Sequence, residues 1–153
     1  MRTCVEAGSN LAYAHAYIGI GKVFIGRAEE TESHIAEALR LSPRDTMAYV
    51  WFAIGGSAKR HLGIWEEAVA WFRRSIEANR NFPESHFELA AALAELGRLD
   101  DARSAVRSGL VLDPNFSVAR ARAFFTAENS DPKYLAQTDH ILEGLRKAGV
   151  PEG

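Results

Sequence analysis

Apolar residues recur along this chain at helical spacing, and the larger pattern that contains them returns every 34 to 37 residues. Three glycines mark each return: Gly26, Gly63 and Gly97. An acidic pair follows three residues after each glycine: Glu29-Glu30, Glu66-Glu67 and Asp100-Asp101. A small residue follows after five: Thr31, Ala68 and Ala102. Bulky apolar residues follow after nine and thirteen: Ile35 and Leu39, Phe72 and Ile76, Val106 and Leu110. Agreement at so many fixed offsets predicts an internal repeat.

Each repeated position has a physical role in a hairpin of two helices. The glycine ends the first helix, because it adopts a backbone turn that a side chain resists. The acidic pair lies in the first turn of the second helix, at the positive end of the helix dipole. The small residue lets the two helices approach closely, and the bulky residues beyond it share one face. Pro43 and Pro114, seventeen residues after their glycines, end the second helix, and Arg80 takes this place in the middle unit.

The repeat predicts three helical hairpins and two further helical segments. In chain order these are residues 12–45, 46–82 and 83–116, an additional first helix over 117–127, and a last helix over 131–149. Asp131-Pro132 supplies an N-cap and a first-turn proline for the last helix. Its apolar stripe indicates packing, and we expect it to cover the end of the stack, with a free docking helix as the alternative.

The first residues are harder to assign. Residues 1–11 align with the end of a preceding repeat, and a hairpin stack buries apolar surface only against its neighbours. We therefore expect the chain to be a segment, or a shortened form, of a longer protein. A native start with a frayed tail is the alternative.

Bulky and small residues also stand side by side in the first helices, at Ile18-Gly19, Phe52-Ala53 and Leu89-Ala90. With the glycines, small residues and prolines above, these pairs resemble the tetratricopeptide repeat of 34 residues. The resemblance implies an all-α fold: a right-handed superhelical solenoid of about three helical hairpins plus a C-terminal capping helix. The sequence departs from the family pattern at His15, Tyr49 and His86 for Trp, at Thr31 for Ala and at Arg80 for Pro.

The second hairpin carries three extra residues between Ala53 and Gly63. Its first helix is therefore either about one turn longer or bulged near Gly55-Gly56. Two adjacent glycines cost about 1 kcal/mol each against alanine inside a helix. We expect a close helix contact to offset that cost, and a flexible joint is the alternative.

Composition and charge narrow the class of protein. Apolar residues make up 47% and charged residues 25%, and the net charge is -2. These values do not give the positive field of a nucleic-acid binder, and we expect Lys59-Arg60 and Arg73-Arg74 to be solvated helix faces. Cys4 is the only cysteine, no apolar run approaches the roughly 20 residues that cross a bilayer, and residues 1–8 lack the apolar stretch of a secretory signal. The sequence predicts a cytoplasmic protein that binds neither nucleic acid nor membrane.

The sequence contains none of the enzymatic motifs that we sought. Gly55-Gly56-Ser57 lacks the lysine spacing of a phosphate-binding loop, and no nucleophile elbow occurs. Glu30 and His34 lie four residues apart and could share a metal, but an ordinary surface pair is the simpler interpretation. We therefore predict no catalytic residues, no metal and no cofactor.

In the family that the chain resembles, the first helices line a concave groove. The matching positions give a predicted partner-binding surface of Tyr13, Ala16, Tyr17, Ile20, Met47, Val50, Trp51, Ile54, Glu84, Phe87, Glu88 and Ala91. This surface is apolar and aromatic with an acidic edge, which suits an amphipathic helix or a strand. We expect Tyr17, Trp51 and Phe87 to be anchor residues. The alternative is that the short stack buries them or that the C-terminal helix fills the groove. Family members that grip chaperone C-termini use Lys, Asn and Arg at these positions, which are missing here.

A more specific resemblance covers residues 46–153. The runs Leu89–Arg103 and Leu112–Phe116 and the closing run Leu142–Glu152 are similar to the C-terminal repeat region of proteobacterial class III adenylate or guanylate cyclases and related signalling proteins. It implies a protein-protein interaction module, acting as the regulatory tail of a larger bacterial signalling protein. Its partner would be another protein or an upstream domain of its own chain. A self-associating stack, as in a homodimer, and a free-standing adaptor are the alternatives.

Overall fold

The computed structural model describes residues 4–127, 129 and 131–153. Within these residues the chain forms eight α-helices and one short 3-10 helix, Ala28–Glu30, and no strand. The α-helices are α1 (Cys4–Phe24), α2 (Thr31–Leu41), α3 (Ala48–His61), α4 (Trp65–Ala78), α5 (Pro83–Glu95), α6 (Leu99–Leu112), α7 (Val118–Thr126) and α8 (Pro132–Lys147). Helices α1 and α2, α3 and α4, and α5 and α6 pack as hairpins, and each hairpin packs on the next. The predicted all-α solenoid is confirmed.

The three repeat glycines make the same turn. Gly26, Gly63 and Gly97 have φ angles of 72°, 72° and 73°, in the left-handed region that side chains resist. The amide after each glycine donates to a carbonyl five residues earlier, as in Arg98 N to Leu93 O at 2.9 Å. This hydrogen bond closes the helix C-terminus in a Schellman motif. The predicted role of these glycines is confirmed.

Within each hairpin the two helices meet at the small residue of the repeat. Thr31, Ala68 and Ala102 are all fully buried. Thr31 stands where the family pattern has alanine, and its hydroxyl donates to the carbonyl of Gly19 at 2.9 Å. The hydroxyl is therefore paired at a position where an unpaired polar group would be costly.

The three extra residues of the second hairpin extend α3 without a bulge. The helix continues through Gly55 and Gly56, which are both buried. A Cβ on Gly55 would lie 2.8 Å from the Trp71 ring, and one on Gly56 would lie 2.6 Å from the Phe72 ring. The glycine pair thus makes the expected close contact between α3 and α4.

The start of the chain differs from the prediction for residues 1–11. Residues 4–11 are not a separate end of a repeat but the first two turns of α1, which runs unbroken to Phe24. Residues 1–3 of that prediction lie outside the described residues.

The last two helices are joined through backbone hydrogen bonds as well as packing. The Asp131 carboxylate accepts from the Tyr134 amide at 2.9 Å and so caps α8, and Gly149 has a φ angle of 93° just beyond the helix. The chain then returns to α7, where the Val118 amide donates to Pro151 O at 2.8 Å. Two otherwise unpaired amides at the start of α7 are satisfied in this way, because Ala119 N also donates to Glu152 O.

The glycine contact between α3 and α4 can be tested with a matched pair of alanine variants. Gly56→Ala should lower the free energy of unfolding by about 1–3 kcal/mol, because the added methyl group overpacks the contact with Phe72. Gly21→Ala should raise it by about 0.5–1 kcal/mol, since a Cβ there meets nothing within 4 Å and alanine favours the helix. Thermal and urea unfolding, followed by circular dichroism, measure both. A stabilised Gly56→Ala variant would contradict the contact.

Candidate interaction groove

The first helices α1, α3 and α5 lie side by side, and the predicted groove residues differ widely in exposure. Tyr17 is 72% exposed, whereas Trp51 and Phe87 are only 2% and 3% exposed. Glu84 is exposed, and the remaining predicted residues are partly buried except the fully covered Ala16 and Ala91: Tyr13, Ile20, Met47, Val50, Ile54 and Glu88. The surface that a partner could touch is therefore smaller than the sequence predicted.

Two of the three expected anchors are core residues of the stack. The Trp51 ring meets the edge of Tyr13 at a centroid distance of 5.6 Å, in a cluster with Ala12 and Ile35. Phe87 stacks on Phe116 with ring centroids 3.7 Å apart. The stack thus buries these two rings, as the alternative interpretation held, and Tyr17 remains accessible.

Helix α8 lies across the concave side of the first helices. A Cβ on Gly144 would lie 2.9 Å from the carbonyl oxygen of Ala91, so the backbones of α8 and α5 touch there. At its other end α8 reaches α3, where Tyr134 stacks on His61 with centroids 5.0 Å apart and rings nearly parallel. The sequence predicted that this helix covers the end of the stack, with filling of the groove as an alternative. It packs chiefly on α5 and α7 at that end and extends from there across the groove to α3.

The first turn of α8 also reaches the first hairpin. Lys133 Nζ donates to Gly26 O at 3.0 Å, and the Tyr134 ring meets Phe24 at a centroid distance of 5.6 Å. Asn129, just before the helix, donates from Nδ2 to Phe24 O at 3.1 Å. One helix therefore contacts all three hairpins.

An arginine lies fully buried beneath α7 and α8. Arg60 is 1% exposed, its Nη2 donates to Ser57 Oγ at 2.8 Å, and its Nη1 lies 3.0 Å from Glu88 Oε2. The Phe125 ring of α7 covers the guanidinium at 5.4 Å. Burial lowers the pKa of Arg60 and raises the pKa of Glu88, although each charge moderates the shift in the other.

His61 is buried beside the arginine in its neutral form. One ring nitrogen, Nδ1, donates to Ser57 O at 2.7 Å, which leaves Nε2 as an acceptor. Burial, reinforced by the charge of Arg60, lowers the pKa of His61 to about 3. Arg60 Nη1 and Glu88 Oε2 form an ion pair with each other, which leaves Arg60 Nε and His61 Nε2 as the buried side-chain atoms without a partner among the described residues.

The prediction that Lys59-Arg60 forms a solvated helix face is wrong. Lys59 is 9% exposed and bridges Glu32 and Glu67, with its Nζ 2.6 Å from a carboxylate oxygen of each. The three-residue extension of α3 carries both cations into the protein, between its neighbouring helices. That extension was the signal in the sequence, but only the positions of α7 and α8 show what covers Arg60. Arg73-Arg74 is exposed.

An open pocket of about 150 Å³ adjoins the buried charges, between α5, α7 and α8. Its lining includes Phe87, Glu88 and Phe116, together with Ile141 and Leu145 of α8. Phe124 is 74% exposed at its edge. The pocket is the part of the groove that α8 leaves uncovered.

The two residues of the candidate metal site, Glu30 and His34, contact other side chains in the structure. Glu30 binds Lys22 and Arg27, and His34 Nδ1 lies 3.2 Å from His15 Nδ1. No cluster of three or more metal-binding side chains occurs in the part of the chain that the structure describes. None of the described helices is both long enough and apolar enough to cross a membrane.

Comparisons with known proteins agree with this architecture. A family model described as tetratricopeptide repeat matches residues 71–104. The Hsp70-Hsp90 organizing protein of Triticum aestivum is 28% identical over 90 residues, which are 59% of this chain but only 15% of that protein. The chain thus spans a small part of this curated relative.

Two solved structures are similar over most of the chain. MamA has a TM-score of 0.64 at 18% identity, with 94% of this chain and 80% of that chain covered. YrrB, described as a TPR protein with an unusual peptide-binding site, has a TM-score of 0.57 at 27% identity, with 90% and 66% covered. The chain therefore carries a tetratricopeptide repeat and has the fold of this class of solenoid.

The neutral state of His61 gives a testable dependence of stability on pH. The unfolded histidine takes up a proton near its ordinary pKa of 6.5, whereas the folded one resists protonation down to about 3. Acid therefore favours unfolding across this window, at about 1.4 kcal/mol per pH unit. Between pH 7 and pH 5, wild type should lose about 2 kcal/mol more stability than His61→Phe, which keeps the stacked ring.

Urea unfolding of both proteins at the two pH values measures this difference. Glu88 and the other titrating groups are common to both proteins, so their contributions largely cancel. Equal losses in the two proteins would contradict a buried neutral histidine.

Proposed function

We propose that this chain is a protein-protein interaction module that binds an apolar peptide or helix in its concave groove. The observation that carries the proposal is α8, because an amphipathic helix already lies on the concave surface and packs there against α5 and α3. A surface that accepts one helix through apolar contacts and a backbone approach at Ala91 can accept another. The name of YrrB, a repeat protein with a peptide-binding site, supports the same class of function.

The accessible part of the groove lies at its two ends. Tyr17 is exposed on α1, and the pocket beside Phe124 is open between α5 and α7. We propose these positions, with Met47, Val50 and Glu84, as the first contacts of a partner. Trp51 and Phe87 support the groove from within the core.

In this proposal the module is the regulatory tail of a larger bacterial signalling protein in the cytoplasm, and it has no catalytic activity. The similarity of residues 46–153 to the repeat region of class III cyclases supports this setting. The partner is then a separate protein or an upstream domain of the same chain. A free-standing adaptor would use the same surface.

A second candidate function is self-association through α1. Leu11 and Ile18 are 50% and 45% exposed and lie seven residues apart on one face of α1, and Ile25, 55% exposed, follows seven residues later in the turn after the helix. Such a stripe can form the seam between two helices. Light scattering over a range of concentrations, with Ile18→Glu as the comparison, distinguishes a homodimer from a monomer that binds its partner through the groove.

Site-specific photo-crosslinking tests the groove directly. A photoreactive phenylalanine analogue placed at Tyr17 or at Phe124 should capture the same partner from the native lysate. The same analogue at Val111, which is 81% exposed on α6 and away from the groove, is the matched control. Capture from the groove positions and not from Val111 is the expected result. Equal capture from all three positions, or from Val111 alone, would contradict the proposal.

A further inference from the structure

The buried surface of the groove at Arg60 and His61, called its floor below, carries polar atoms that form no hydrogen bond with helix α8, the present occupant of the groove. Arg60 Nε and His61 Nε2 are buried without a hydrogen-bond partner among the described residues, whereas Arg60 Nη1 lies 3.0 Å from Glu88 Oε2. Both unpaired atoms belong to α3, and the side chains over the two residues are Phe125 of α7 and Tyr134 of α8. Buried polar atoms are normally paired, so two neighbouring residues with unpaired atoms point to an occupant that would pair them better.

The polar side chain of α8 at this place forms its hydrogen bond within its own helix. Thr138 is buried, and it lies on the same helical face as Ile141 and as Tyr134, which stacks on His61. Its hydroxyl donates to Tyr134 O within the helix at 3.1 Å. Helix α8 thus fills the groove by shape while leaving the floor unpaired.

The chemistry of the floor defines the side chain that would complete it. Arg60 Nε needs an acceptor, whereas neutral His61 Nε2 needs a donor. A carboxylate accepts but cannot donate, and it would face the carboxylate of Glu88. A cation donates but cannot accept, and it would face Arg60. A primary amide offers both an acceptor and donors without adding charge.

We infer that α8 is a displaceable occupant of the groove, and that the partner which replaces it is an amphipathic helix presenting a glutamine or asparagine to Arg60 and His61. This inference rests on the proposed function, because it specifies the partner of the same groove. The backbone contact at Ala91 adds a second requirement: the incoming helix carries a small residue where α8 has Gly144.

A variant that releases α8 makes the groove available to a probe. Gly144→Leu introduces a side chain where even a Cβ would lie 2.9 Å from the Ala91 carbonyl oxygen, so α8 should leave its site while the three hairpins stay folded. Gly21→Leu is the matched control, since a Cβ at Gly21 meets nothing within 4 Å. Circular dichroism verifies that both full-length variants retain their helices.

The probes are fluorescent synthetic peptides of residues 129–149 with wild-type Thr138, Thr138→Gln, Thr138→Met or Thr138→Glu. Glutamine, methionine and glutamate have similar length and similar helix propensity, so differences among them report on the side-chain head. Fluorescence anisotropy should show that Gly144→Leu binds the wild-type peptide while Gly21→Leu binds it at least tenfold more weakly. The Thr138→Gln peptide should bind Gly144→Leu about tenfold more tightly than the Met or Glu peptide, the gain expected from pairing a buried polar group.

The outcomes separate the inference from the proposed function. If folded Gly144→Leu binds none of the peptides, the groove does not hold helices and both are overturned. If it binds them all with similar affinity, the groove binds helices but the amide preference is wrong. A Glu peptide that binds more tightly than the Gln peptide would overturn the amide in favour of an acidic partner. Equal binding of the wild-type peptide by Gly144→Leu and Gly21→Leu would show that α8 does not occupy the groove.

Discussion

The structure depends on close approach between helices that cannot bury their apolar faces alone. A single hairpin leaves half of its apolar surface exposed, and only a neighbouring hairpin covers it. The approach is possible because small residues stand at each crossing: Thr31, Ala68 and Ala102 within the hairpins, and Gly144 where α8 meets Ala91. The close approach of these backbones determines the shape of the groove. It also determines the position of α8 and the burial of Arg60.

The hairpin architecture could be predicted because the repeat places the same requirement at the same offset three times. The left-handed glycine turns and the buried small residues were therefore visible in the sequence. The candidate site was less predictable. Position within the repeat indicates which face a residue takes, but not what lies on that face. Trp51 and Phe87 were placed correctly on the first helices, yet the burial of Trp51 depends on Tyr13 of the first hairpin, and that of Phe87 depends on Phe116 at the far end of its own unit.

The burial of Lys59 and Arg60 could not be predicted from the sequence either. A short run of basic residues is usually solvated, and the sequence around Lys59 and Arg60 contains nothing local that argues otherwise. Lys59 is held between Glu32 and Glu67, and the burial of Arg60 results from the extended end of α3 together with Phe125 of α7, 65 positions further along the chain, and α8 beyond it. An apolar stripe on that helix predicted that it packs, but several surfaces of the stack could have received it.

The hydrogen bonds from Asn129 and Lys133 to Phe24 and Gly26 join residues that are 105 and 107 positions apart in the sequence. Linear repeat arrays have only nearest-neighbour contacts, so their units can unfold one after another from either end. Here α8 connects the first hairpin directly to the third, so the array also has contacts between hairpins that are not neighbours. Docking of α8 therefore couples the hairpins into one cooperative unit. An event that lifts α8 from the groove would also restore to each hairpin the freedom to open separately.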